Sequence, residues 1–197
     1  MAVLKHIAIR NFQYADAVDY LRFQHNEFTN KPILDEDGHF ILREGIIIDG
    51  INCTPDTFPR ECAELNERFN KNSTSKEIKA HHYILSFDPR DREDNGLTVE
   101  RAHELGMEYC KNYFPGHQAL VCTHPDGHNG AGNIHVHIVI NSLRMEDIER
   151  KPYMERPSDS LAGYKHHVSE NYLEYLIIKK LIELKHLIIH IYLVLIM

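Results

Sequence analysis

No two of the four cysteines, Cys53, Cys62, Cys110 and Cys122, stand at the C-x-x-C spacing of a redox or zinc motif, and four in 197 residues is far too few for a disulfide scaffold. The expectation is reduced, mostly buried thiols in a cytoplasmic protein. The first twelve residues lack the continuous apolar core of a signal peptide. No apolar run reaches bilayer length: residues 187–197, broken only by His190, are too short, so no membrane span is expected. Internal repeats are also missing. Positive charge is in deficit, with 22 Lys and Arg against 29 Asp and Glu, a formal charge of −7. That excludes a broad, non-specific electrostatic grip on nucleic acid. Any such binding must come from a local basic cluster or from a bound metal.

The apolar and charged fractions, 43% and 26%, belong to an ordinary soluble globular protein, and the length suits one domain with a sizeable core. Residues 3–9 read as a strand. A helix is expected over residues 14–27, with Ala17, Tyr20, Leu21 and Gln24 at helical spacing. Residues 33–42 look like a hairpin around the Asp35-Glu36-Asp37-Gly38 turn signal. An apolar piece follows at 45–51, then a helix over 55–70 with Pro59 early, where proline is tolerated. The strand HYILSF (82–87) stops at Asp88-Pro89 and gives way to a charged loop. Thr98 caps a helix that runs to Tyr113. Residues 154–163 read as loop, and a long helix is expected from near Ser169. Strands alternating with helices around an antiparallel centre predict an α+β fold, a central antiparallel sheet with helices packed on it. From residue 176 the composition turns abruptly to Ile, Leu and Lys. The expectation there is an anomalous tail, truncated or frameshifted, with a membrane-peripheral helix or an ordinary packing helix as alternatives.

The stretch QALVCTHPDGHNGAGNIHVHIVINSLR (118–144) holds the most chemistry. Two apolar runs flank a loop rich in Gly, Asn and Asp. With a side-chain period of two, His135 and His137 share one sheet face, and an antiparallel hairpin returns His124 beside them. Three neutral imidazoles on a rigid sheet suit a divalent metal with coordination positions left open. Among fifteen histidines an H-x-H pair also arises by chance. Its setting inside an apolar strand argues for a partner, because unpaired buried imidazoles are costly. His128 competes with His124 as third ligand; His124 is preferred because it continues the apolar strand. The candidate nucleophile is Tyr20, in a polar helix with His25 and Asn26 one turn on. A phenol attacking phosphorus must lose a proton with a free pKa near 10, which a divalent cation assists. By residue type alone Tyr20 reads more often as a tyrosine packed on the core than as a catalytic one.

AVDYL near the start, HHYILSFDP in the middle and THPDG…NIHVHIVINS together resemble the relaxases, the mobilisation nucleases of conjugative and mobilisable elements, over about residues 1–175. Those enzymes belong to the histidine–hydrophobe–histidine nucleases, whose motif His135-Val136-His137 resembles. The resemblance implies a site- and strand-specific nickase acting on single-stranded DNA at a transfer origin. Tyr20 would be the nucleophile that forms a 5′-phosphotyrosyl bond. His124, His135 and His137 would hold a divalent ion, magnesium or manganese by expectation, with zinc as a further option. Asp126 would orient a ligand histidine, and Asn141 would fix the hairpin or touch DNA. Arg22, and with it Lys31, Arg144 and Lys165, are candidates for phosphate contacts. Tyr164, His166 and His167 have the stacking and hydrogen-bonding character that suits single strands. His81 and His82 are read as partly exposed residues at a strand entry. Accessory mobilisation proteins are implied as partners. Two other readings remain: a phosphodiesterase that activates water with its metal and needs no Tyr20, and an inactive DNA-binding remnant.

Overall fold

The computed structural model describes residues 3–10, 13–26, 29, 31–125, 133–168 and 192–195. Six strands form one sheet: β1 (Val3–Ile9), β2 (Ile47–Ile51), β3 (Ala80–Ser86), β4 (His117–His124), β5 (His135–Arg144) and β6 (Tyr192–Leu195). Their order is β2-β4-β5-β3-β1-β6. The first five pair antiparallel, and β6 joins β1 in parallel. Helices α1 (Tyr14–Arg22), α2 (Phe58–Arg68), α3 (Pro89–Asn95) and α4 (Val99–Tyr113) complete the α+β fold expected from the sequence.

Strands β4 and β5 are buried along their whole length because both faces of the sheet centre are covered. On one face α1 buries Tyr14, Ala17, Val18 and Leu21, the i, i+3, i+4, i+7 stripe of an amphipathic helix. It packs with Phe58 and Cys62 of α2 over Ala80, Leu120, Cys122 and Val139. On the other face α4 lays Ala102, Tyr109, Cys110 and Tyr113 over Val121, Val136, Ile138 and Ile140. Gly106 is needed there: a Cβ would lie 2.5 Å from Val136 Cγ1.

Three local expectations give way to backbone chemistry. α1 ends at Arg22 instead of running to residue 27, because Gln24 and Asn26 turn their amides to Ile41 and Lys31 carbonyls. The charged stretch after Phe87 is helix α3, not loop. Asp88 caps it by accepting from the Arg90 amide, while Asp91 reaches back to the Asp88 amide and Gly96 closes it at φ +66°. Within 154–163, Pro157–Ser160 form a 3-10 turn. Residues 33–42 do double back, as isolated bridges and not a regular hairpin. All four cysteines are free thiols, three of them buried. Among the described residues no helix is long and apolar enough to cross a membrane. The helix expected from Ser169 and most of the 176–197 tail lie outside the described residues.

Candidate active site

His124 and His135 are direct cross-strand partners, and Cys122 faces His137 two residues along. The register therefore sets three imidazoles on one face. Ring centroids are 5.0 Å apart for His124 and His135, 4.6 Å for His124 and His137, and 4.8 Å for His135 and His137. One ligand atom from each ring lies within 4.8 Å of the others, and all three residues are buried.

Hydrogen bonds hold the three rings. His124 Nε2 lies 2.9 Å from the Leu21 carbonyl, His135 Nδ1 3.4 Å from that of Asn133, and His137 Nδ1 2.8 Å from His82 Nε2. Each contact engages one ring nitrogen, the way outer partners orient the ligands of metal sites. His137 Nε2 is buried and has no hydrogen-bond partner among the described residues. Burial, with His82, His124 and His135 around it, holds His137 well below the usual histidine pKa, so the ring stays neutral and its lone pair is available. A buried neutral donor without a partner, facing two more imidazoles, fits a metal ion. The three residues could hold one.

Tyr20 reaches this cluster from α1. It sits at the edge of the buried stripe of the helix, with its ring 5.9 Å from that of His137, 6.2 Å from His82 and 5.4 Å from His25. Burial raises its pKa and the Arg43 guanidinium lowers it. Arg43, which the sequence reading passed over, is anchored at that end of the helix by Nε–H donation to the Phe23 carbonyl.

Other candidate positions have different surroundings. His81 and His82 are 3% and 7% exposed, so the expectation of partly exposed residues is corrected: both belong to a strand covered on two faces. His82 is thereby recovered as the residue that steadies His137. Asn141 is fully buried toward the other end of β5; its amide donates to Gln118 while its oxygen accepts from Tyr14 and Leu143. Those bonds tie β5 to Gln118 of β4 and to Tyr14 of α1. Arg22 is half-buried and pairs with exposed Asp56 at 2.6 Å. Arg144 is buried and donates to the Pro115 and Asp159 carbonyls, and Lys165 pairs with Glu77 at 2.9 Å. Lys31 is exposed. The Tyr164, His166 and His167 group divides: Tyr164 is at the surface beneath Lys71, whereas His166 bonds to Tyr83 and His167 to Arg156. Asp126 and His128 lie outside the described residues.

The family model described as "Relaxase: MobA/VirD2-like, nuclease domain" matches residues 39–157. Two relatives named Protein rlx from Staphylococcus aureus are 33% identical over 97 residues and 27% identical over 119, which is 49% and 57% of this chain and 27% and 33% of theirs. Protein TraI of Escherichia coli is 24% identical over 142 residues, 72% of this chain and 17% of its own. The matched region thus spans a third or less of each of these relatives. Tyr20 precedes residues 39–157 and joins the histidines through the packing of α1. With the family match covering well over half of the chain, including both strands that carry the three histidines, the chain belongs to the MobA/VirD2-like relaxases, by way of their nuclease domain.

Proposed function

We propose that this domain is a metal-dependent, site- and strand-specific DNA nickase that opens single-stranded DNA at a transfer origin through a covalent tyrosine, so initiating conjugative mobilisation. The observation that carries the reading is the packing of the Tyr20 ring 5.9 Å from His137, one of three converging imidazoles. Residues 1–175 form the nuclease unit in this proposal, and 176–197 the tail of anomalous composition, of which Tyr192–Leu195 adds a strand beside β1. Accessory mobilisation proteins and a cytoplasmic site of action belong to the same reading.

His124, His135 and His137 would hold the ion, with His82 and Asp126 orienting the rings. His128 is the alternative to His124. When bound, a divalent cation supplies neutralisation of the non-bridging phosphate oxygens and polarises the phosphorus. Magnesium or manganese is the expected ion; three imidazole donors also accommodate zinc. Tyr20 gives up its phenolic proton to a neighbouring base, for which His25, its ring 5.4 Å from that of Tyr20, is the candidate. Its oxygen attacks the phosphorus, and the P–O3′ bond breaks with its electron pair, leaving a 3′-hydroxyl once that oxygen is protonated. The phosphotyrosyl bond conserves the energy of the broken linkage for rejoining. Arg43 stabilises the phenolate, Arg22 serves a flanking phosphate, and Asn141 holds the hairpin in register.

A second reading, water activated by the metal without a covalent step, draws support from the burial that raises the Tyr20 pKa. The test is incubation with single-stranded transfer-origin DNA and manganese or magnesium, followed by denaturing electrophoresis. An adduct that is lost in Tyr20→Phe supports the transferase. Cleavage that survives Tyr20→Phe with no adduct establishes the hydrolase instead. If no divalent ion produces cleavage, and His135→Ala changes neither binding nor cleavage, both give way to a non-catalytic DNA-binding role.

A further inference from the structure

The described residues among 23–43 form a largely exposed module rooted on the helix that carries Tyr20. Phe23 follows α1 directly, and three chain segments tie together by single bonds: Gln24 N–H to the Ile41 carbonyl, Ile41 N–H to Ile33, and Ile33 N–H to Gln24. The Arg43 amide then returns to the Arg22 carbonyl. Residues 31–40 are all exposed. Ile33, Leu34, Phe40 and Leu42 are 38%, 50%, 48% and 61% exposed, and among the described residues the only other large hydrophobics so exposed are Leu161 and Tyr164. Concentrating apolar side chains in one outlying segment is costly in water unless something covers them.

The charge pattern selects the occupant. The far tip carries Asp35, Glu36 and Asp37, and the Asp35 carboxylate is locked as acceptor from the Asp37 and His39 amides. A phosphate backbone is repelled there. At the root stand Arg22 and Arg43, the latter within electrostatic range of both Tyr20 and His137. Phosphates are therefore favoured at the root, beside the nucleophile, while the apolar flank between root and tip meets groups that are flat and uncharged. We infer that Phe40, Leu42, Leu34 and Ile33 form a stacking platform for unpaired bases next to the scissile phosphate. Phe40, its ring 5.2 Å from that of Phe23, is the principal face. The inference rests on the proposal that a DNA strand is held at Tyr20, and it adds where the neighbouring bases go.

The chain has no tryptophan, so Phe40→Trp creates a single reporter at an exposed position. A mixed-sequence single-stranded oligonucleotide should quench its emission, and an abasic oligonucleotide of equal length should not. Phe40→Ala should weaken binding of the normal strand roughly 5- to 150-fold, the range for losing one stacked base, and leave the abasic strand unaffected. Unchanged emission on saturating DNA, as expected if the platform docks a protein, overturns the inference. So does an equal loss with both probes, which would mean general damage to the module. Binding is read in the Tyr20→Phe background without added metal, so failure of the platform is separable from failure of the covalent mechanism.

Discussion

His82 Nε2 lies 2.8 Å from His137 Nδ1, a contact between adjacent strands that couples the tautomers of the two rings. For His137 to present a lone pair at Nε2 its proton must sit on Nδ1, so His137 donates and His82 accepts. Burial lowers the His82 pKa to about 4, which keeps it a neutral acceptor at pH 7. His82→Ala should weaken metal binding about 10- to 100-fold, as is usual for loss of a group that orients a ligand. His82→Gln, which restores an acceptor, should recover part of the loss. Calorimetric titration with manganese checks both; equal affinity in wild type and His82→Ala would remove the assignment.

Arg43 acts on Tyr20 through charge. A guanidinium near Tyr20 favours the phenolate, so Arg43→Ala should raise the phenol pKa further. The acid limb of the pH–rate profile for adduct formation should move to higher pH, with metal affinity little changed. A profile that keeps its position would show that the phenol's ionisation is set by the ion alone.

Packing behind the site can be tested without touching it. In Gly106→Ala, the new Cβ meets Val136 Cγ1 at 2.5 Å and Val121 Cγ1 at 3.2 Å, and Val136 stands between His135 and His137. Replacing a helical glycine gains about 1 kcal/mol of propensity, against about 1–3 kcal/mol for overpacking. The sheet should lose on balance: a lower urea midpoint together with weaker metal binding. A more stable variant with unaltered metal affinity would mean that Val136 rotates aside freely.

A second group of histidines sits on the opposite face. His6 lies 2.9 Å from His81 Nδ1, and His166 bonds to the Tyr83 hydroxyl while its ring lies 5.6 Å from that of His117. Burial lowers the pKa of His6 to about 4 and of His117 to about 3, and holds His81 and His166 well below normal. Folded pKa values below the unfolded 6.5 mean that the unfolded chain binds more protons in between. Stability is therefore full above about pH 6.5 and falls as the pH drops toward 4, by up to about 1.4 kcal/mol per pH unit for each histidine kept neutral. Urea midpoints measured across that window should decline steadily; a flat series would show that these rings protonate in place.

The parts of the site written in local periodicity were legible beforehand. Alternation put His135 and His137 on one face, and the edge of the α1 stripe put Tyr20 toward the sheet. What escaped was set by pairing between distant segments. His82 looked like a residue at a strand entry because nothing local says that β3 lies against β5. Arg43 drew no attention since its place near Tyr20 depends on residues 23–43 folding back to α1. His166 was grouped with Tyr164 and His167 as a single-strand contact, yet its ring bonds to the Tyr83 hydroxyl of a distant strand while Tyr164 stays at the surface. The Asp88-Pro89 pair was read as a strand stop. It is one, and it also opens a helix.

The pairing of His124 with His135 across the β4–β5 ladder also separates chemistry from chain length. Both imidazoles are placed by amide hydrogen bonds between neighbouring strands, so the number of residues connecting them does not enter their geometry. Residues could be added to or removed from that connection, changing what borders the three imidazoles, while the imidazoles themselves kept their spacing.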